Sequence, residues 1–164
     1  IFFIAFIFHI AKELLLLLLF YNFIRMTSFG LHATKSSICL FSSVLIFLGC
    51  AFFSRVLLIP IYGKVAIGSL CILFMYKNAP ADTYKRPIVS RKRREIYKLL
   101  STIIAITYSI CAVIIANNFI SNLLLFSLII QNFLIAPTVY KFFKLPYDNY
   151  KTYISSQKNL NYSN

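Results

Sequence analysis

Five apolar stretches alternate with short polar breaks along the 164 residues, at roughly 1–24, 37–58, 61–76, 99–116 and 119–140. Each approaches the ~20 residues an α-helix needs to cross a bilayer, with the third and fourth falling short. A segment embedded in lipid must satisfy its own backbone groups, so each stretch reads as a helix. Pro60 and Gly63 part the second from the third, and Asn117-Asn118 part the fourth from the fifth. Connections this tight predict two helical hairpins. Pro137 and Pro146 mark the end of the fifth stretch. The expected fold is therefore all-α: a polytopic helical membrane protein with about five apolar helices, two tight hairpins joined by a basic cytoplasmic loop. Residues 1–144 are expected to form one integral-membrane domain, and 145–164 a polar tail, partly disordered.

Composition supports lipid as the solvent. Hydrophobic residues make up 60% of the chain, well above the roughly 45–50% of a soluble domain. The 17 Lys and Arg against 4 Asp and Glu give a formal charge of +13. On a chain this apolar, that excess points to the positive-inside pattern and away from disorder or nucleic-acid binding. With the loop at 77–98 in the cytoplasm, 14 of the 17 basic residues fall on that side. Arg55 and Lys64 then face outward, snorkelling, and Lys12 lies within the first helix. The cytoplasmic face also holds the C-terminus and the break from Arg25 to Cys39. Basic residues beside a spanning helix are expected from orientation alone, and they also attract anionic lipid. The chain opens Ile1-Phe2-Phe3 with no basic region ahead of the first apolar run, so that run does not read as a signal peptide. The N-terminus reads as incomplete.

The break between the first two stretches holds the candidate chemistry. His32 and Cys39 lie seven positions apart. Cys50, Cys71 and Cys111 sit inside apolar runs, where a cysteine acts as a small hydrophobe. No CxxC or Cys/His cluster has metal-ligand spacing, so neither a metal nor a cofactor is expected. A cysteine attacks as its thiolate and needs a base, which His32 can supply. In one continuous helix the two side chains would stand about 10 Å apart along the axis. The pair therefore works only if the chain bends between them. Gly30 can end the first helix, and Ser36 or Ser37 can cap the next. Cys39 then sits in the first turn, where the helix dipole favours the thiolate. Lys35 or Arg25 can favour the thiolate or hold an oxyanion, or simply anchor the helix end at the interface. Glu13 and His9 share a helix face, and Lys12 and Glu13 are costly in lipid unless paired.

The segment Arg25…Gly30-x-His32-Ala…Cys39 resembles the signature of the accessory gene regulator B (AgrB) family of membrane peptidases. Asn78-Ala-Pro-Ala-Asp-Thr-Tyr-Lys-Arg-Pro-Ile88 resembles the family's second signature, an APADTxNRPI-like loop followed by basic residues. The resemblance covers roughly residues 10–140. It implies a cysteine endopeptidase of Gram-positive quorum sensing in the bacterial cell membrane, with Cys39 as nucleophile and His32 as its base. The implied partner is an AgrD-like precursor peptide with an acidic C-terminal region, which suits a +13 chain. The implied product is a cyclic thiolactone or lactone, and the resemblance also suggests a homodimer. Asp82, Lys85 and Arg86 fall in the second signature as supporting or substrate-binding residues. Asp82 is expected to form the turn by bonding its own local backbone. Tyr84 departs from the family's polar residue there and is given no role. Family members carry a further N-terminal segment ahead of the first run. The alternative reading is a non-enzymatic peptide transporter or binding partner.

Overall fold

The computed structural model describes residues 1–31, 36–83 and 87–162; at 36–40, 43 and 157–162 it describes the course of the backbone alone. Among these residues the chain is all-helical. The helices are α1 (Phe2–Ile7), α2 (Ala11–Ser28), α3 (Ser36–Val56), α4 (Ile61–Asn78), α5 (Arg91–Ile114), α6 (Asn118–Ile135), α7 (Pro137–Phe142) and α8 (Asn149–Tyr162).

The first apolar run is two helices, not one. His9 adopts φ 54; its N–H donates to Phe6 and that of Ile10 to Ala5. This is a Schellman stop, with His9 in the left-handed position usually held by glycine. Lys144 ends α7 in the same way, at φ 53, with Leu145 donating to Tyr140. Between α5 and α6, the Asn117 side chain accepts from the N–H groups of Phe119 and Ile120 and caps α6. Pro137 opens α7, where a missing N–H costs nothing.

Helix α6 is the hub, and α2, α3, α4 and α5 all pack on it. Gly68 of α4 lets α5 approach until a Cβ there would stand 3.0 Å from the Ser109 side chain. Small residues at such a crossing are the means by which helices pack closely without a hydrophobic driving force. α5 and α6 pack together as a pair. α3 and α4, joined by four residues, take their main neighbours elsewhere: α2 and α6 for α3, α5 and α6 for α4. The short link alone does not fix that pairing, because each helix buries its own stripe against α6.

Among the described residues two helices, α5 and α6, are long and apolar enough to cross a membrane, and Val44–Val56 is a shorter apolar stretch. α2 and α4 are diluted by Lys12, Glu13 and Arg25 and by Lys64 and Lys77. The outward faces remain apolar, with Leu15, Leu19, Phe52, Leu70, Leu73 and Ile110 exposed.

One end of the bundle gathers the charges of the first runs. Glu13 pairs with Arg55 at 3.5 Å, and Arg55 also donates to the His9 carbonyl. The carboxylate thus meets a cation from α3 rather than His9 on its own face. Lys64 does not snorkel outward. It is buried and donates to Asn118 Oδ1 at 3.2 Å. The tail differs from expectation too, forming α8 after a short connection.

Candidate functional site

The opposite end of the bundle collects the C-terminal ends of α2, α4 and α6. There α2 stops at Ser28, and the chain turns through Phe29 at φ 57 and Gly30 at φ 113. The freed backbone groups find partners from two sides. On one side, Gly30 N–H donates to the Ala81 carbonyl at 3.0 Å and Ala81 N–H to the Ser28 carbonyl at 3.1 Å, a parallel bridge between Phe29 and Ala81. On the other, Leu31 N–H donates to the Leu134 carbonyl at 2.9 Å, and Gln131 Nε2 donates to the Phe29 carbonyl at 2.7 Å. The Phe29 ring stands edge-on to Tyr97 of α5. Gly30 is obligatory here: its φ suits glycine, and a Cβ would lie 3.2 Å from the Leu134 carbonyl and 3.3 Å from Ile135.

Arg25 closes the same turn. Its guanidinium donates to the Tyr21 hydroxyl, and to the Leu31 carbonyl at 3.2 Å. Its charge therefore lies beside the backbone that leads directly to position 32.

Asp82 is buried and does more than form a turn. Its Oδ1 accepts from Asn149 N–H at 3.0 Å, and its Oδ2 from Tyr150 N–H at 2.9 Å and Ile88 N–H at 3.4 Å. The first two donors open α8, so the carboxylate caps that helix from a distant loop, where the dipole favours a negative charge. Within its own loop the carboxylate takes the Ile88 N–H, and beyond it the N–H groups that open α8, a role the local-turn expectation did not include. Tyr140 donates to the Asp82 carbonyl at 3.2 Å, and Tyr147 to that of Asn78 at 3.3 Å. Burial, then Asp148 and Asp82, push the Tyr147 hydroxyl up to about 12. Burial and then Asp82 also push Tyr140 upward. Both phenols thus keep the proton they donate.

A basic face borders this end. Arg91, Lys92 and Arg93 are exposed at the start of α5; Arg94 stacks on the Tyr150 ring at 3.3 Å and Lys98 on Tyr76 at 4.2 Å. Cations in a first helical turn oppose the macrodipole, so propensity does not account for this cluster.

Of the residues singled out from sequence, Arg25, Gly30 and Asp82 are brought together around the Phe29–Ala81 bridge. Cys39 lies in the first turn of α3 by its backbone; its side chain, and His32, Lys35, Lys85 and Arg86, lie outside the described residues. Cys71 is buried, and Cys50 and Cys111 pack at the core's edge. Sequence reasoning passed over Gln131, Tyr140 and Asn149. Gln131 had a signal, an amide beside Asn132 late in an apolar helix. Asn149 had none, since its role depends on where Asp82 lies.

A model of the family Accessory gene regulator B matches residues 1–135. A Clostridium acetobutylicum protein with the provisional name AgrB-like protein is 30% identical over 149 residues, 91% of this chain and 71% of that protein. Proteins of the same provisional name from Listeria monocytogenes and Listeria welshimeri are each 31% identical over 135 residues. Those matches cover 81% of this chain and 65% of each relative, so the chain spans just under two thirds of their length. No solved structure matches.

Proposed function

The chain belongs to the accessory gene regulator B family, and from that premise we propose that it is a membrane-embedded cysteine endopeptidase that matures a quorum-sensing peptide. A role in the accessory gene regulator system follows from the membership itself. The observation that carries the finer reading is the Phe29–Ala81 bridge. It ties the segment leading into His32 to the Ala-Pro-Ala-Asp loop, so both signature stretches serve one locus.

In the proposed reaction the Cys39 thiolate attacks the carbonyl carbon at the C-terminal side of the signal. His32 holds the thiol's proton and passes it to the leaving amine as the C–N bond breaks. The acyl group stays on Cys39 as a thioester. A thiol or hydroxyl within the bound peptide then attacks that carbonyl and the C–S bond breaks. The peptide leaves as a thiolactone or lactone, and the incoming group's proton returns to the Cys39–His32 pair. The thioester keeps the acyl group activated, so cyclisation needs no nucleotide. A site at the bilayer edge limits competing water.

The exposed apolar faces suit lipid, and five apolar helices crossing it would place the site end in the cytoplasm with Arg25, Lys77 and the α5 cluster. That cluster suits an acidic precursor tail. Replacing Cys39 by Ala, or His32 by Ala, is expected to abolish cleavage of a co-expressed precursor while membrane insertion persists. Cleavage surviving in Cys39→Ala would reject the assignment. Full activity in Cys39→Ser would count against the thioester.

A further inference from the structure

Gln131 is fully buried in α6 one turn before its end. Its amide is half satisfied. Nε2 donates to the Phe29 carbonyl at 2.7 Å, whereas Oε1 is buried with no hydrogen-bond partner among the described residues. An unpaired buried amide oxygen is a substantial cost in a helix that leucine would pack as well. Asn122 and Asn132 of α6 also carry buried amide oxygens without a partner among the described residues, but only the Gln131 amide donates to the turn that follows α2. Phe29 and Gly30 are both at positive φ, a turn no regular element imposes, and Phe29's carbonyl has no partner in α2. Leu134, three residues on, takes the Leu31 N–H from the same helix. The last turn of α6 therefore grips the chain on both sides of Gly30, immediately before His32.

We propose that Gln131 is a positioning residue for the reaction proposed above: through the Phe29 carbonyl it fixes the direction in which the chain enters His32, and so the alignment of base and thiol. The inference rests on the cysteine-peptidase reading. Small errors in such an alignment cost rate out of proportion to stability. The grip acts through backbone, so the effect falls on turnover and not on precursor binding.

The test uses the full chain in native membranes, with Cys50, Cys71 and Cys111 replaced by Ala so that iodoacetamide reports on Cys39 alone. Gln131→Met keeps length and volume but removes the donor. It is expected to slow both alkylation near neutral pH and precursor cleavage, on the order of ten- to a hundredfold, with KM unchanged. The pH midpoint of alkylation should move upward, toward that of His32→Ala. Gln131→Glu, whose buried carboxyl stays protonated and can donate to the same carbonyl, is expected to recover most of the wild-type profile. Should Gln131→Met fail to insert, Gln131→Asn withdraws the amide from Phe29 and is expected to give the same slowing. A wild-type alkylation profile in the Met or Asn variant overturns the proposal, as does a lowered melting temperature with an unmoved pH midpoint. Cleavage that survives Cys39→Ala sinks the thiol mechanism instead, so the two failures are told apart.

Discussion

Phe29 and Ala81 pair backbone to backbone, although one follows α2 and the other follows α4. Two N–H···O=C bonds, at 3.0 and 3.1 Å, join the opening part of the first signature to Ala81 of the second. Neither segment is a strand. Each is a helix exit whose orphan donors and carbonyls the other satisfies. The arrangement makes the geometry of one signature a condition for that of the other.

Gly30→Ala tests this junction. At φ +113, with a carbonyl 3.2 Å from the added carbon, the substitution forces either the turn or α6 to move. Backbone strain of this kind costs on the order of 1–3 kcal/mol. A lowered melting temperature in detergent is expected, together with loss of precursor cleavage. Unchanged values for both would contradict the geometry.

Asp82→Ala removes the carboxylate acceptor of three backbone N–H groups at once. Leaving buried donors unpaired costs about 1–3 kcal/mol. The loss should appear first where the cap acts. Amide hydrogen exchange across 149–156 is expected to rise, with faster proteolysis beyond Pro146, while the α4–α5 contact stays protected. Asp82→Asn retains one acceptor oxygen and should lie between the two.

Docking of the C-terminal segment carries a pH signature. Tyr147 titrates near 10 when free and is pushed up to about 12 in the folded chain, by burial first and by Asp148 and Asp82 next. A raised folded value means that the folded state holds its proton where the unfolded state has lost it. Its contribution is full below pH 10 and is lost as pH rises toward 12. Tyr140 shifts in the same direction. Tyr147→Phe should therefore reduce, not abolish, the fall in stability over that window, read by tyrosinate absorbance alongside thermal melts.

Gly68→Leu probes the bundle away from the site. The added side chain must enter a gap already closed by Ser109. Overpacking of this kind costs about 1–3 kcal/mol. The expected outcome is a lower melting temperature with the pH midpoint of Cys39 alkylation unmoved, in contrast to Gln131→Met.

Neutralising Arg91, Lys92 and Arg93 together to Gln removes charge from exposed positions at the start of α5. If this face meets an acidic precursor tail, KM rises on the order of tenfold at low salt, and the difference shrinks as salt screens it. A salt-independent change would point to folding instead.

The all-α class and the family were legible in the residues. Long apolar runs in a chain of this charge leave helix as the only economical structure in lipid, and Gly30, Asp82 and the Ala-Pro-Ala sequence stand in a recognisable order. The need for a bend before Cys39 also followed from helix geometry alone, and α2 does end at Ser28 with Gly30 just beyond. What periodicity missed were the places where neighbouring segments matter. It gave one helix where His9 makes two and an outward Lys64 where Asn118 receives its ammonium, and it did not show that Asp82 caps α8.

The sequence by itself thus determined the helices, the charge asymmetry and the chemistry on offer, because hydrophobic periodicity and local breakers act within a few residues. Only the tertiary structure decided that α6 is the hub, that Phe29 meets Ala81, and that Gln131 reaches the Phe29 carbonyl. Those contacts join segments distant in the chain. They arise when unpaired backbone groups at helix ends find one another, and nothing in the local sequence of either segment specifies its partner.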